Sequence, residues 1–387
     1  MQDPAYLDPR SGRTWPLSEP RWRGPEGQPL LLTDLPGLTR PGIEAGTRGL
    51  WRYAAALPFR PAAPITLGEG ATPLLRRDWG QGALRGTAHF KCEWLMPSGS
   101  FKDRGATVML SLLREQGIRH VLEDSSGNGG AAIATYAAAG GMRARILVPA
   151  STSPAKTVQS RALGAAIELI PGSRQDCADA ALAQGSDPAG NDPASGVFYA
   201  SHNWHPFFLQ GTKTLAYELW EDLGFRAPDN VIVPCGAGSN VLGCGIGFGE
   251  LLRAGQIDRL PRLFAAQPAQ CGPIARAFLG LPPAPPGPTI AEGTAIAQPI
   301  RLPEILDTLR RSGGGAVLLE EAEIAAATRD LAAQGLYVEP TSAQAAAALS
   351  RLREEGAIGR EEVTVVVLTG AGLKATQRHA ELAGVAL

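Results

Sequence analysis

From about residue 88 onward, the chain alternates short apolar, β-branched segments with longer segments rich in Ala or Leu. The apolar segments predict strands, and they read "AHFKCEW", "HVLEDS", "RARILVP", "AAIELIP", "VFYAS", "NVIVP", "RLFAAQ", "GAVLLE" and "VTVVVLTG". This alternation is typical of parallel sheets covered by helices, whose interior strands are apolar because both faces are buried. We therefore predict an α/β fold with twisted, mostly parallel sheets.

Two stretches depart from this pattern. Residues 1 to about 65 are rich in Pro, Gly and Arg and contain several Trp, which indicates an irregular arm that packs on the body. The segment "GLPPAPPGPTIAEG", residues 280 to 293, has the composition of a surface loop.

The segment "PSGSFKDRG" predicts a turn followed by a helix start, with Ser98 or Ser100 available as a cap. Lys102 would then lie in the first helical turn, where the exposed N–H groups disfavour an ammonium by about 0.3–1 kcal/mol. A lysine that gives up its proton readily is a better nucleophile. A solvated lysine paired with Asp103 explains the same residues, so this stretch alone leaves both interpretations open.

Two further strand-to-helix corners carry candidate ligand groups, because ligands bind at the carboxyl ends of strands in open α/β sheets. In "DSSGNGG", the polar groups of Ser125, Ser126 and Asn128 can hold a carboxylate or a ring hydroxyl, or simply cap the helix. In "VIVPCGAGSNVLG", small residues would let backbone N–H groups close on a phosphate. This second corner comprises Gly236, Ala237, Gly238, Ser239 and Asn240.

The same corner fits a dinucleotide fingerprint poorly. The third glycine of the motif is missing, and the next strand ends in Gln267 where an acidic residue would bind a ribose. A nicotinamide-dependent dehydrogenase is therefore disfavoured. Motifs of serine hydrolases, zinc proteases and P-loop proteins do not occur, and His202 and His205 are spaced too loosely to predict a metal site. The strand "VVVLTG" would present the hydroxyl of Thr369 at its carboxyl end.

Composition narrows the classes of partner. The 36 basic and 37 acidic residues leave a net charge of −1, which gives no electrostatic reason to expect nucleic acid or a membrane surface as a partner. Five cysteines without a C-x-x-C pair suggest neither a disulfide framework nor a zinc site, and they fit a reducing cytoplasm. We expect a cytoplasmic protein with a small-molecule ligand.

Taken together, these motifs resemble the β-family (fold type II) of pyridoxal-phosphate enzymes, and threonine synthases most closely. Over about residues 65 to 375 the chain carries "LGEGATPL", "PSGSFKDRG", "SSGN", "LQGTKTLAYEL", "VEPTSA" and "LTGAGLK" in order. The resemblance implies a two-domain fold and a homodimer that binds pyridoxal 5'-phosphate and acts on an amino acid. It assigns residues 66–97 and 206–387 to a large cofactor-binding domain and residues 98–205 to a smaller α/β domain.

The resemblance also implies roles for individual residues. Lys102 would form the Schiff base with the cofactor and shuttle protons, Asn128 would bind the ring hydroxyl, and Thr369 would face the pyridine nitrogen. The corner from Gly236 to Asn240 would hold the cofactor phosphate. The candidates for substrate binding are Ser98, Ser125, Ser126, Lys156 and Arg161.

Two positions depart from the threonine synthase pattern. Gly129 stands where these enzymes usually have a hydroxyl residue that helps to hold the substrate phosphate, and Ala371 replaces a histidine. We expect Gly129 to weaken phosphate binding unless Lys156, Arg161 or backbone N–H groups compensate. If phosphate binding is limiting, Gly129→Thr should lower the Michaelis constant for O-phosphohomoserine. The departures keep open a β-elimination or β-replacement on another amino acid, as in serine or threonine ammonia-lyases or a cysteate-synthase-like reaction. A catalytically silent cofactor-binding protein is the third hypothesis.

Overall fold

The computed structural model describes residues 3–185 and 196–386. The described strands are β1 Ala5–Leu7, β2 Thr14–Pro16, β3 Leu31–Leu32, β4 Leu74–Trp79, β5 Gly86–Lys91, β6 His120–Glu123, β7 Arg143–Pro149, β8 Ala166–Ile170, β9 Phe198–Tyr199, β10 Asn230–Pro234, β11 Arg262–Pro268, β12 Gly315–Leu319 and β13 Thr364–Val367. The described helices are α1 Lys102–Glu115, α2 Asn128–Ala139, α3 Pro154–Ala162, α4 Arg174–Gln184, α5 Pro206–Thr212, α6 Thr214–Asp222, α7 Ser239–Arg253, α8 Pro273–Phe278, α9 Leu302–Arg311, α10 Glu321–Ala333, α11 Pro340–Glu354 and α12 Thr376–Ala383.

The chain forms two compact units, each with its own sheet. The first takes in the residues up to Pro36 together with Ile43–Glu69 and Lys102–Thr212. Its main sheet has the strand order β8-β7-β6-β9, and all neighbouring strands are parallel. Helices α1 to α5 belong to this unit, and β6 is central in the sheet, so the corner after β6 is the one expected to carry ligand groups.

The amino-terminal residues of this unit were expected to be irregular, but they include a small antiparallel sheet in the order β2-β1-β3. Tyr6 and Trp22 are fully buried in the core of the unit, and the Trp22 ring meets Tyr199 edge to face, 5.0 Å between centroids. These three strands are two or three residues long, too short to leave a periodic pattern in the sequence.

The second unit takes in Gly37–Gly42, Gly70–Phe101 and the residues from Lys213 onward. Its sheet has the order β12-β11-β10-β13-β5-β4, parallel throughout except for the antiparallel edge pair of β4 and β5. The predicted parallel α/β class is confirmed, and all nine predicted strands form. The pattern missed β4, "LLRRDW", because an edge strand carries polar residues that face solvent.

Three further expectations concern the predicted loop, membrane-spanning helices and the cysteines. Of the predicted loop, residues 280–293, the part from 280 to 289 contains no helix or strand and is largely exposed, whereas Ala291 is buried and a short 3-10 helix, Glu292–Thr294, begins within the loop. Within residues 3–185 and 196–386, no helix is long and apolar enough to cross a membrane. All five cysteines are buried, and they form no disulfide with one another.

Candidate active site

Lys102 is the first residue of α1, and its side chain is partly exposed. Its Nζ lies 5.7 Å from the centroid of the Phe208 ring on α5. Helices α1 and α5 approach so closely that a Cβ at Gly105 would lie 2.5 Å from this ring, and one at Gly211 would lie 1.9 Å from the carbonyl oxygen of Arg104. The two glycines therefore permit the close packing that places an aromatic face beside the lysine.

The corner between β6 and α2 lies in the same unit. Ser125 is buried and its Oγ accepts a hydrogen bond from the Gly127 N–H at 3.4 Å, while Ser126 and Asn128 are partly exposed. No side chain caps α2, since its N-cap residue is Gly127. The first backbone N–H groups of α2 are thus directed toward the carboxyl end of the sheet, as an anion or hydroxyl ligand requires.

His202 lies directly beside this corner, although the sequence did not mark it as a site residue. Its backbone N–H donates to Oε2 of Glu123 at 3.0 Å, and its Nδ1 pairs with Oε1 of the same carboxyl group at 2.8 Å. A Cβ built at Gly129 would lie only 2.8 Å from Nδ1 and Cε1 of the His202 ring, and 3.0 Å from Oγ of Ser125. The imidazole therefore occupies the space that a side chain at position 129 would need.

This contact adds a packing cost that the expectation for Gly129→Thr did not include. A threonine at 129 would collide with a ring that the bond between Nδ1 and Glu123 and an edge-to-face contact with Phe208 hold in place. Overpacking of this kind destabilises a well-packed site.

Burial governs the charges around His202. Burial raises the pKa of Glu123 to about 7, although the His202 N–H bond and the charge of Lys102 lower it. Burial, with the charge of Lys102 acting in the same direction, holds the pKa of His202 well below its usual value. Burial and the neighbouring Glu123 also raise the pKa of Asp124, whose Oδ1 accepts a hydrogen bond from the Tyr199 hydroxyl at 2.8 Å. The imidazole is therefore neutral, and Glu123 exchanges a proton near neutral pH.

The expected substrate-binding cations lie on α3. Lys156 and Arg161 are both exposed, and Arg161 Nε donates to Oγ1 of Thr157 at 3.3 Å. Ser98 belongs to the second unit and is almost fully buried. The structure thus groups Lys102, Ser125 and His202 within the first unit and leaves the α3 cations on its surface.

The glycine-rich corner between β10 and α7 lies in the second unit. Gly238 has a φ of 84°, and a Cβ there would lie 2.2 Å from Cδ1 of Ile305. No side chain caps α7, which begins at Ser239. Asn240 is 2% exposed, and neither Oδ1 nor Nδ2 of its side chain has a hydrogen-bond partner among the described residues. A buried amide without partners is costly, which indicates that a ligand completes this corner.

Thr369 also lies in the second unit, just after β13, and is almost fully buried. Its Oγ1 is 3.0 Å from Oγ of Ser342, which also accepts a hydrogen bond from the Gly370 N–H at 2.7 Å. Ser342 was not selected from the sequence, although it lies within the segment "VEPTSA". The side chain of Gln267 bonds to the Cys235 carbonyl and the Ala275 N–H, so it does not serve a ribose here.

Comparison with known proteins identifies the family. A model described as "Pyridoxal-phosphate dependent enzyme" matches residues 65–370. A threonine synthase of Methanocaldococcus jannaschii is 35% identical over 338 residues, covering 84% of this chain and 80% of that protein. A threonine synthase of Mycobacterium tuberculosis is 34% identical over 313 residues, covering 80% of this chain and 84% of the relative.

Solved structures share the fold. A fungal L-serine ammonia-lyase from Rhizomucor miehei matches with a TM-score of 0.69 at 21% identity, covering 81% of this chain and 98% of that one. The processed form of threonine deaminase isoform 2 from Solanum lycopersicum matches with a TM-score of 0.66 at 22% identity, covering 81% and 83%. The fold class, the cofactor and the class of enzyme predicted from the sequence are confirmed. The chain belongs to the family of pyridoxal-phosphate-dependent enzymes.

Proposed function

We propose that this protein is a threonine synthase, a lyase of amino-acid biosynthesis that converts O-phosphohomoserine and water to threonine and phosphate by β,γ-elimination and replacement. The observation that carries this proposal is the 35% identity to a threonine synthase over 84% of the chain. The ordered motifs from "LGEGATPL" to "LTGAGLK" support it.

The residues present fit pyridoxal 5'-phosphate. The corner from Gly236 to Asn240 offers uncapped backbone N–H groups at the start of α7 and the buried amide of Asn240, which has no partner among the described residues. A phosphate group accepts hydrogen bonds from both kinds of donor, and the helix dipole favours its negative charge. We propose that this corner holds the cofactor phosphate.

When bound, the cofactor supplies an electron sink for negative charge that develops at the substrate Cα. Lys102 would bind the cofactor covalently and then take and return the proton at Cα. Asn128 would hold the ring hydroxyl, and Thr369 would face the pyridine nitrogen. The Ser342 hydroxyl positions Thr369 through the 3.0 Å contact between the two oxygens.

The serines before α1 and between β6 and α2 would position the substrate. We propose Ser98, Ser125 and Ser126 for hydrogen bonding to the substrate, and Lys156 and Arg161 for its anionic end. The exposed cations lose little hydration when they meet an anion, but they contribute little binding energy because solvent screens them.

The assembly and its location are also proposals. A homodimer follows from the resemblance, and five buried cysteines without a disulfide among them fit a cytoplasmic location. The assignment of residues 66–97 and 206–387 to a large cofactor-binding domain and of 98–205 to a smaller one is proposed on the same basis.

A direct assay tests the function. The protein purified with pyridoxal 5'-phosphate should release phosphate and form threonine in equal amounts from O-phosphohomoserine. A screen of serine and threonine for deamination runs in parallel, since Gly129 departs from the threonine synthase pattern. Deamination or β-replacement without phosphate release from O-phosphohomoserine would refute the proposal.

A further inference from the structure

We propose that His202 provides, through Nε2, the hydrogen bond to the substrate phosphate for which threonine synthases usually use a hydroxyl at the position of Gly129. The inference rests on the proposed function, because it names a group that binds the leaving phosphate of that substrate. His202 would thus be a specificity-determining residue, and Glu123 the positioning residue behind it.

The first support is the shared volume. A Cβ at Gly129 would lie 2.8 Å from two atoms of the His202 ring, closer than any real side chain would tolerate. Oγ of Ser125 is 3.0 Å from the same point. The imidazole and the serine hydroxyl therefore flank the place where a side chain at 129 would present its own hydroxyl. A side chain at 129 and the imidazole in its present position therefore cannot both be accommodated.

The second support is the orientation of the ring. Glu123 engages both the backbone N–H and Nδ1 of His202, at 3.0 and 2.8 Å. Phe208 packs against the ring edge to face, with 5.7 Å between centroids. His202 is 4% exposed, and its hydrogen bonds within the described residues are those of the backbone N–H and of Nδ1. The ring is thus fixed at one nitrogen and available at the other, as a preorganised donor requires.

Nε2 can donate a hydrogen bond only if it carries the ring proton. The contact between Nδ1 and Glu123 decides which ring nitrogen carries that proton. If Glu123 is protonated, its hydroxyl donates to Nδ1 and Nε2 carries the ring proton. If Glu123 is ionised, Nδ1 donates to the carboxylate and Nε2 can only accept. The pKa of Glu123 near 7 makes the donor form available at neutral pH. The other charged groups that act on the pair are Lys102, Asp124 and Arg174.

Four variants separate these roles. His202→Asn keeps a group that can pair with Glu123 but removes Nε2, while His202→Gln restores an amide near the position of Nε2. Glu123→Gln donates its amide N–H to Nδ1 and fixes the proton on Nε2 at all pH values. His120→Asn, at the start of β6, is the matched control for loss of an imidazole in the same unit.

The probe is inorganic sulfate, whose charge stays constant from about pH 6 to about pH 8.5. The protein is loaded with pyridoxal 5'-phosphate, so that the cofactor's own phosphate site is filled. Calorimetric titration should show roughly ten- to hundredfold weaker sulfate binding by His202→Asn, since a hydrogen bond to a charged group is lost. Affinity should be partly recovered in His202→Gln and unchanged in His120→Asn. Wild-type affinity should fall as pH rises through about 7, while Glu123→Gln should show no such fall.

Sulfate binding by His202→Asn at wild-type affinity would overturn the inference, and so would a Glu123→Gln pH profile that matches the wild type. The second result decides the matter even if His202→Asn does not fold. Sulfate binding that depends on His202 in a protein that does not turn over O-phosphohomoserine would refute the proposed function alone. Turnover with sulfate binding independent of His202 would refute this inference alone.

Discussion

Replacing Gly129 with threonine should destabilise the protein, and removing the His202 ring should relieve most of that loss. The Cβ of residue 129 would lie 2.8 Å from Cε1 and Nδ1 of His202, about 0.6 Å short of ordinary van der Waals contact at 3.4 Å. The ring cannot withdraw without breaking the hydrogen bond between its Nδ1 and Glu123. The φ of Gly129 is not in the left-handed region, so the backbone itself accepts a threonine.

The magnitude follows from these contacts. Overpacking should cost Gly129→Thr about 1–3 kcal/mol. His202→Ala should cost a similar amount, about 1–3 kcal/mol, because Oε1 of the buried Glu123 loses its partner. In the double variant the threonine enters the space of the missing ring. The double variant should therefore lose less unfolding free energy than the sum of the two single variants, by about 1–3 kcal/mol.

Urea unfolding of the four proteins, loaded with cofactor and at one protein concentration, measures this coupling. Gly46→Thr, in the same unit, is the matched control, because nothing lies within 4 Å of a Cβ at that position and its φ is not in the left-handed region. It should change stability by less than about 0.5 kcal/mol. Additivity of Gly129→Thr and His202→Ala within about 0.5 kcal/mol would show that the ring does not occupy this space.

Three further predictions concern the other groups of the site. Borohydride reduction of the cofactor-loaded protein followed by peptide mapping should label Lys102, and a label on another lysine would refute its role. Thr369→Val should retain the cofactor, as judged by absorbance, but lose turnover, and Ser342→Ala should shift the absorbance spectrum because Thr369 loses its 3.0 Å partner; unchanged turnover and spectra would show that the pyridine nitrogen has a different partner. In Glu123→Gln, the unfolded chain takes up a proton on His202 below about pH 6.5 that the native state does not, so stability should fall on acidification by up to about 1.4 kcal/mol per pH unit. In the wild type, native Glu123 with its raised pKa binds a proton over the same range and offsets this loss. The free energy of unfolding of the wild type minus that of Glu123→Gln, measured in urea, should therefore increase from about pH 8 to about pH 5.5. A constant or decreasing difference would contradict the assignment.

Local patterns in the sequence determined the class of the fold and the main motifs. Nine apolar segments became strands, and α1 begins at Lys102, because strand burial and turn chemistry depend on residues only a few positions apart. The same holds for the corner from Gly236 to Asn240, where a left-handed glycine and a helix start follow one another along the chain. These features could be predicted because the physical interaction that causes each one is short in range.

Only the tertiary structure decided which side chains share a space. Glu123 and His202 are 79 positions apart, and Ser342 and Thr369 are 27 apart, so no local pattern links the partners. From the sequence, Gly129 was a missing hydroxyl and His202 an unassigned histidine. Packing joins them, because the strand that ends at Glu123 places its carboxyl group where it holds the imidazole against the glycine. The packing of this corner is therefore a property of the folded unit, since it depends on contacts that exist only after β6, α2 and the segment before α5 have packed together.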